Sequence, residues 1–548
     1  MPRSWIVILK PVALAVVLPS AFCEVCVAQL GGFSAGTQIG QVTRDDLTEI
    51  SGIAASRHNP GVLWIHNDRS RDRLYAVRTN GQFLATYNLG KDVNDFEDLA
   101  IGPGPLPEFE YLYCGDIGDN SATRSNIRVY RAPEPAVYAY FAANPPSENF
   151  PIVEKITLVY PDGSFNAEAL MIDPLTGDLY IATKQPNLSR IYRAASSQLQ
   201  DEATVTLSFV VELNFHEVSS GDISADGQEI ILRQEDFARM WTRAPGESLA
   251  EVLAGIPIDI PVIGRPTEPN GEGVAFHGSG LGYYTISEGE NPVIYFFATT
   301  GSPPLAVTRT LLPPGSTWRF SDGGMDQGTT WRNPSFADAT WRTGPAQLGY
   351  GEDDEQTVVS FGADKDRKHV TTYFRTQFPV ENPVPTGTLT LSAVFDDGIA
   401  VYLNGIEVLR RNLAPNAAFA DAALASGSSL ENLWQSFVIT NLLRAGSNTM
   451  AVEVHRRSES EGDLSFDLQL QTGPGGGALQ FSGPPRRVAG AGWALDFCGP
   501  VGATISVEGS ANLDDWASLG SVILRNGAGS LTNLQPAGAP WNFYRLRQ

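Results

Sequence analysis

The fold is decided by residues 95–130, which read DFEDLAIGPGPLPEFEYLYCGDIGDNSATRSNIRVY. Two acidic residues lead into the apolar run Leu99-Ala100-Ile101. A turn rich in glycine and proline follows, and then the aromatic run Leu112-Tyr113-Cys114. After a polar loop comes a third run, Ile127-Arg128-Val129-Tyr130. Short apolar and aromatic runs between turn residues are typical of strands. This stretch therefore predicts three consecutive antiparallel strands.

The same pattern occurs five times between Glu49 and Tyr295. The leading strands are predicted at residues 51–54, 97–100, 168–171, 221–224 and 272–275, and their partners at 63–65, 112–114, 179–181, 230–232 and 283–285. Repeats of about 40–50 residues that each hold several strands predict the blades of a β-propeller. Five blades are visible. Two alternatives remain open: residues 134–161 contain a sixth blade, or residues 37–42 complete the last blade.

The sequence outside the repeats predicts further β-domains. Composition changes at Pro313-Pro314, and apolar runs between Gly, Pro and Asn turns continue to about residue 472. A glycine-rich linker begins at Gly473. We therefore predict an all-β chain with a five- or six-bladed propeller over 36–312, a jelly-roll β-sandwich over 315–472 and a small β-sandwich module over 478–548.

The motifs resemble those of known protein groups. Residues 50–53, 66–68, 95–100 and 115–120 resemble a group of bacterial secreted propellers whose function is not established, and more distantly the esterase-like phytases and strictosidine-synthase-like propellers. Residues 347–351, 396–398, 401–405 and 453–455 resemble a galactose-binding-like jelly roll, a fold that often accompanies secreted hydrolases. The resemblance implies the folds and says little about activity, because one fold hosts many chemistries.

Charge and the N-terminal segment restrict the function. The 548 residues contain 38 Lys and Arg against 61 Asp and Glu, a net charge of −23, which argues against a nucleic-acid partner. The positively charged start, the apolar run at 12–22 and the small residues before Gln29 predict a signal peptide over residues 1–28. We therefore expect an exported protein that is periplasmic, extracellular or attached to the cell surface. No later stretch is long enough to span a membrane.

The repeat register predicts an acidic cluster at one end of the propeller. In each blade, the start of the first strand and the end of the second strand lie at the same face of the propeller. Polar residues at those positions should therefore lie close together. The predicted metal ligands are Asp95, Glu97, Asp98, Asp116, Asp119 and Asn120. The predicted ligand-binding residues are Asn67, Asp68, Glu168, Lys184, Arg233, Glu272 and Glu288. A ring of carboxylate and amide oxygens suits Ca²⁺, whereas the alternative is that these Asp and Asn residues only form turns.

Two functions follow from this arrangement. The first is an exported binding protein with an acidic, calcium-binding propeller and a jelly roll that contacts polysaccharide through aromatics such as Trp318, Trp331, Trp341, Tyr350 and Trp434. Large aromatics also fill cores, which is the simpler interpretation. The second is a calcium-assisted hydrolase of phosphate or carboxylic esters, in which Lys184 or Arg233 steadies an oxyanion. His66 is a candidate general base.

Overall fold

A computed structural model gives the fold of the chain. It describes residues 5–8, 32–68, 72–244, 246–300, 309–382, 389–425, 430, 432–472, 480–481, 486–488, 492–498, 504–510, 517–523, 528–532 and 543–547. Strands dominate these residues. The described helices are one short α-helix and three 3-10 turns, at Leu249–Leu253, Ala139–Ala143, Ser196–Gln198 and Thr330–Arg332.

Residues 32–300 form five sheets, which we number as blades 1 to 5. Blade 1 contains Ile53–Ala55, Val62–His66, Arg73–Arg78, Phe83–Asn88 and Ser147–Asn149. Blade 2 contains Phe96–Pro103, Glu110–Asp116, Ile127–Pro133, Glu154–Val159 and Thr204–Thr206. Blade 3 contains Ala167–Ile172, Leu179–Thr183, Ser189–Ala194 and Ser208–Leu213. Blade 4 contains Ser220–Ile223, Glu229–Arg233, Ala238–Thr242 and Ile258–Ile260. Blade 5 contains Gly271–Phe276, Gly282–Ser287, Val293–Thr300, Thr37–Gln41 and Gly32–Phe33.

The first strand of each blade lies innermost, and the ring of inner strands is closed. Each inner strand contacts the inner strands of the two neighbouring blades, and blade 5 contacts blade 1. The N-terminal strand Thr37–Gln41 pairs antiparallel with Val293–Thr300 and so joins the two ends of the propeller. The stretch 134–161 forms no sixth sheet, because Glu154–Val159 is the fourth strand of blade 2 and Ser147–Asn149 adds to the edge of blade 1. The predicted propeller is confirmed, with five blades.

Two facing sheets form the jelly-roll sandwich. One contains Arg309–Leu312, Leu348–Tyr350, Thr357–Val358, Leu389–Phe395, Gln435–Ile439 and Leu464–Thr472. The other contains Thr317–Ser321, Arg342–Pro345, Thr371–Val380, Gly398–Leu403, Ile406–Arg411 and Gly446–His455. A core of inward-facing side chains from both sheets, including Trp318 and Phe466, holds them together.

Most of the aromatics predicted as candidates for sugar stacking are buried. Trp318 and Trp331 are inaccessible to solvent, and Tyr350 is also buried in the sandwich. Trp434 packs against the propeller, where its indole N–H donates to Oδ1 of Asn59 at 3.0 Å. Only Trp341 of this set retains partial exposure. The interpretation as core residues therefore holds for four of the five.

The C-terminal region contains two small sheets. One consists of Gln480–Phe481, Arg486–Val488, Gly492–Cys498 and Ala528–Thr532, and the other of Thr504–Ser510, Ala517–Ile523, Phe543–Arg547 and Trp5–Ile8. Apart from 5–8, the predicted signal peptide lies outside the described residues, so export stays a prediction. Across the described part of the chain, the structure contains no helix with the length and apolar character needed to cross a bilayer.

Candidate functional site: an acidic mouth on the propeller

Three glutamates from different blades meet at the end of the channel where the inner strands begin, which we call the mouth. Glu97, Glu168 and Glu272 are each the second residue of an inner strand, in blades 2, 3 and 5. Each is only 7 or 8% exposed. Burial raises the pKa of Glu97, and the charges of Glu168 and Glu272 raise it further, so the three carboxyl groups are close enough to act on one another. The convergence predicted from the repeat register is therefore present.

A β-bulge lies at each of these glutamates. The pairing register shifts between Phe96 and Asp98, between Ala167 and Ala169, and between Gly271 and Val274. A bulge takes a residue out of the regular ladder and re-aims its side chain, and such bulges are common beside functional sites. The backbone of three blades therefore deviates at the same level of the propeller, and each deviation places a carboxylate.

Lys184 is the cation among the three glutamates. It follows the second strand of blade 3, and its Nζ lies 2.5 Å from Oε2 of Glu168. Burial alone would lower the pKa of Lys184, but the charges of Glu168, Glu272 and Glu97 outweigh burial and raise it. Lys184 is therefore charged at neutral pH, and one lysine compensates three buried carboxyl groups only in part.

A second group of carboxylates adjoins the first. A Cβ placed on Gly118 would lie 2.2 Å from Oε1 of Glu97 and 2.5 Å from Oδ2 of Asp95, so these two oxygens lie side by side against the glycine. Burial raises the pKa of Asp95, and the nearby charge of Asp68 raises it further. Burial also raises the pKa of Glu288, with contributions from Asp68 and Glu168. The mouth thus gathers more acidic groups, closely spaced, than basic groups.

The remaining predicted metal ligands of this loop are engaged by protein groups. Asp116 is fully buried, and its Oδ1 lies 2.9 Å from a guanidinium nitrogen of Arg124 and accepts the N–H of Asp95 at 3.0 Å. Oδ2 of Asp119 accepts the N–H of Arg124 at 2.7 Å. Oδ1 of Asn120 accepts a long hydrogen bond from Asn166. These contacts correspond to the turn-forming alternative.

Asp98 was predicted as a metal ligand, but in the structure it connects neighbouring blades. It has no exposed surface; Oδ1 accepts the N–H of Leu99 and Oδ2 that of Leu170 in blade 3, both at 2.9 Å. The hydroxyl of Ser220 in blade 4 also donates to it at 3.2 Å. Asp222 bridges blades 4 and 5 in the same way, through Ile223 and Phe276. These aspartates therefore connect inner strands.

Three other predicted residues are structural. Arg233 is buried, forms an ion pair with Glu268 at 2.6 Å and donates to the carbonyl of Gly273 at 2.8 Å, so it does not face the mouth as a free cation. Oδ1 of Asn67 accepts the N–H of Glu49 at 2.7 Å, which fixes the loop before blade 1. His66 stacks on Phe96 at 4.0 Å, and burial lowers its pKa to about 3, so it is neutral.

Asn166 is the residue that the sequence reasoning missed. Its Nδ2 donates to Oε1 of Glu168 at 3.2 Å, while its Oδ1 accepts the N–H of Asp119 at 2.7 Å. It thereby ties the loop between the second and third strands of blade 2 to the mouth glutamate of blade 3. Asn166 directly precedes an inner strand, which is the position that identified the other mouth residues, so the register argument extended by one residue would have found it.

A preformed metal cage is absent from the part of the chain that the structure describes. No group of three or more His, Cys, Asp or Glu side chains there is arranged to hold an ion. Backbone N–H groups and arginine engage both oxygens of Asp98 and one oxygen each of Asp116 and Asp119, which makes these side chains less available to an ion. Oδ2 of Asp116 is buried without a hydrogen bond and lies 3.6 Å from a guanidinium nitrogen of Arg128. Of the predicted set, Asp95 and Glu97 fit best, with Asp68 beside them.

The mouth predicts a fall in stability as pH rises. Burial is the main cause that raises the pKa of Glu272 to about 8, against about 4.3 for an exposed glutamate. Between these values the native state holds a proton that the unfolded chain has released, so the free energy of unfolding decreases from about pH 5 to pH 8, by up to about 1.4 kcal/mol per pH unit. We expect Glu272→Gln to reduce this slope in urea titrations at several pH values. An unchanged slope would contradict the assignment.

Comparisons with known proteins identify no family. No family model matches the chain, and no curated protein matches it. A solved exo-β-1,3-galactanase from Phanerochaete chrysosporium aligns with 11% identity, covering 80% of this chain and 100% of that one, at a TM-score of 0.31. A chain of a nidogen–laminin complex aligns with 11% identity over 46% of this chain and 84% of that one, at a TM-score of 0.27. A β-glucuronidase from Bacteroides uniformis aligns with 17% identity over 42% of this chain and 27% of that one, at a TM-score of 0.23. Such low scores carry no argument, so the fold rests on the strand topology.

Proposed function

We propose that the protein is a binding protein whose propeller captures a cation at the mouth, with Ca²⁺ as the ion that its oxygen ligands suit. The observation that carries the proposal is the convergence of Glu97, Glu168 and Glu272 around the single lysine Lys184. Export of the protein, which the N-terminal sequence predicts, belongs to the same proposal.

Electrostatics support a cationic ligand. Burial opposes the ionisation of these carboxyl groups and their like charges add to that cost, which is why their pKa values are raised. A cation at Asp95 and Glu97 would remove the repulsion and displace the protons held there. Ca²⁺ accepts six to eight oxygens in flexible geometry, so two or three carboxylates completed by water form a reasonable shell. The absence of a preformed cage among the described residues means that Asp68, Asp95 and Glu97 must adjust on binding.

The hydrolase alternative receives less support from the geometry. An enzyme of this kind needs a base and an oxyanion donor beside the activated water. His66 is stacked within the protein, Arg233 is held by Glu268, and Lys184 is paired with Glu168. The candidates named for these catalytic roles are therefore occupied.

The jelly roll is proposed as an accessory domain. Polysaccharide contact remains part of the proposal, but four of its five candidate stacking residues are buried, as described above. The contacts that support an accessory role are those with the propeller, such as Trp434 with Asn59 and the hydroxyl of Ser436 with His58 at 3.0 Å. This domain is therefore expected to add stability and to shape the surface beside the propeller.

Thermal melting of the full chain tests cation capture. Binding to the native state alone stabilises it by about 2.7 kcal/mol when the ion is at a hundredfold excess over its Kd. We expect millimolar Ca²⁺ to raise the Tm above its value in chelator by several degrees. Glu97→Gln should abolish most of this increase, because it removes one of the two adjacent carboxylates.

Two further variants make the test specific. Gly118→Ala retains every charge but places a methyl group between Asp95 and Glu97, so it should also weaken the response. Glu290→Gln changes an exposed glutamate on the same blade as Glu272 and should respond like the parent protein. Equal melting curves in chelator and in Ca²⁺ for the parent protein would refute the proposal.

A further inference from the structure

A cavity lies between the propeller and the jelly roll, away from the mouth. It encloses about 440 Å³, a size typical of small-molecule sites, and such sites occur often at domain interfaces. Its walls come from the edge of blades 1 and 2 and from the jelly-roll loop that contains Glu352 and Asp354. The hydroxyl of Tyr140 donates to the carbonyl of Asp354 at 2.9 Å and so ties the two walls together.

Negative charge dominates the walls of this cavity. Glu148, Glu352, Asp354 and Asp463 line it, and its described lining residues include neither Lys nor Arg. Burial raises the pKa of Asp354 to about 7, and the charges of Glu352, Glu355 and Glu148 add to that effect. Glu352 itself is hydrogen-bonded to Asn432 at 3.0 Å and to Ser465 at 2.9 Å. None of the described lining residues therefore supplies a positive charge to pair with Asp354.

Two buried oxygens at the cavity have unused hydrogen-bonding capacity. Oδ1 of Asp354 is buried and finds no partner among the described residues. The side chain of Tyr138, which is 4% exposed, places its hydroxyl near the carboxyl group of Asp467 without reaching hydrogen-bond geometry with any described group. Buried polar atoms without partners are rare and costly, and each calls for a missing donor or acceptor.

The rest of the lining is apolar. Tyr87 and Phe141 contribute aromatic carbon, and Pro146 and Leu433 contribute aliphatic carbon. A ligand for this cavity therefore combines a charged group that donates hydrogen bonds with a hydrocarbon stem. A primary ammonium has three N–H donors, whereas a quaternary ammonium has none and a neutral alcohol carries no charge.

We infer that this interdomain cavity binds a primary amine with an apolar stem, whose ammonium group pairs with Asp354 and whose stem packs against Tyr87 and Phe141. The inference is independent of the cation at the mouth, because the two sites share no residue. A charge-assisted hydrogen bond of this type contributes about 1.5–3 kcal/mol, which corresponds to roughly ten- to hundredfold in affinity.

Calorimetric titration of the full chain with hexylamine at pH 8 tests the inference. At this pH the amine is protonated and Asp354 is mostly ionised. We expect saturable binding of hexylamine, with hexanol and hexyltrimethylammonium at least about tenfold weaker. Equal affinities for the three probes, or no binding of hexylamine, would overturn the inference.

Variants locate the site. Asp354→Asn should weaken hexylamine binding by about tenfold or more, and Tyr138→Phe should weaken it by a smaller factor. Asp353→Asn makes the same change at the adjacent residue, which is exposed and does not line the cavity, and should bind like the parent protein. Glu97→Gln at the mouth should also leave hexylamine binding unchanged. Loss of binding in Glu97→Gln but not in Asp354→Asn would assign the amine to the mouth and refute the cavity.

Discussion

Replacing Asp98 by alanine is expected to lower the free energy of unfolding by about 3 kcal/mol or more. The carboxylate is buried and accepts hydrogen bonds from Leu99, Leu170 and Ser220, which belong to three consecutive blades. Alanine leaves these donors buried without an acceptor, at about 1–3 kcal/mol for each unsatisfied group. Urea unfolding monitored by tryptophan fluorescence measures the loss.

A matched aspartate shows whether this effect is specific. Asp95 lies three residues earlier but is half-buried among like charges. Asp95→Asn should therefore change the free energy of unfolding by no more than about 0.5 kcal/mol, or even increase it. Asp98→Asn keeps one acceptor oxygen and should fall between Asp98→Ala and the parent protein. Similar losses for Asp95→Asn and Asp98→Ala would contradict the role of Asp98 in connecting the blades.

Trp434→Ala is expected to destabilise the protein by about 3–5 kcal/mol, the range for deleting a large buried aromatic side chain. Trp434 is 1% exposed and packs beside Tyr138, with ring centroids 6.4 Å apart. Its indole shares Oδ1 of Asn59 with the N–H of Val137, at 3.0 and 2.9 Å. The substitution thus removes both the packing and a hydrogen bond between the propeller and the jelly roll.

Differential scanning calorimetry provides the measurement. If Trp434 couples the two domains, the variant should melt with separate propeller and jelly-roll transitions at lower temperature. Trp341→Ala removes a partly exposed tryptophan from the jelly roll alone and should cost less. A Trp434→Ala protein that melts like the parent would show that the contact contributes little to stability.

The repeat register predicted the propeller and the level of the mouth. The inner strands begin within a residue or two of their predicted positions, and Glu97, Glu168 and Glu272 meet as expected. This worked because equivalent positions in repeated units occupy equivalent places around an axis. The same logic left the closing strand undecided, since Thr37–Gln41 pairs with a strand more than 250 residues later.

The register did not predict which way each carboxylate points. Asp98 follows Glu97 directly, yet the side chain of Glu97 lies at the mouth and that of Asp98 lies between blades. Neighbouring strand residues face opposite sides, and a bulge at Glu97 interrupts the pairing there. Arg233 and Asn67 likewise occupy predicted positions but bind protein groups. The cavity between the domains was also inaccessible to sequence reasoning, because it is formed by loops distant in the chain.

The central claim is that the carboxylates of the mouth bind a cation. It is tested most directly by the protons released when Ca²⁺ binds, measured by titration calorimetry at pH 7 in buffers of different ionisation enthalpy. Burial raises the pKa of Glu272 to about 8 and raises that of Glu97, so a bound cation should displace protons from this cluster. We predict saturable Ca²⁺ binding with net proton release, reduced in both Glu97→Gln and Glu272→Gln. Absence of saturable binding, or proton release that is the same in these variants and the parent protein, would contradict the claim.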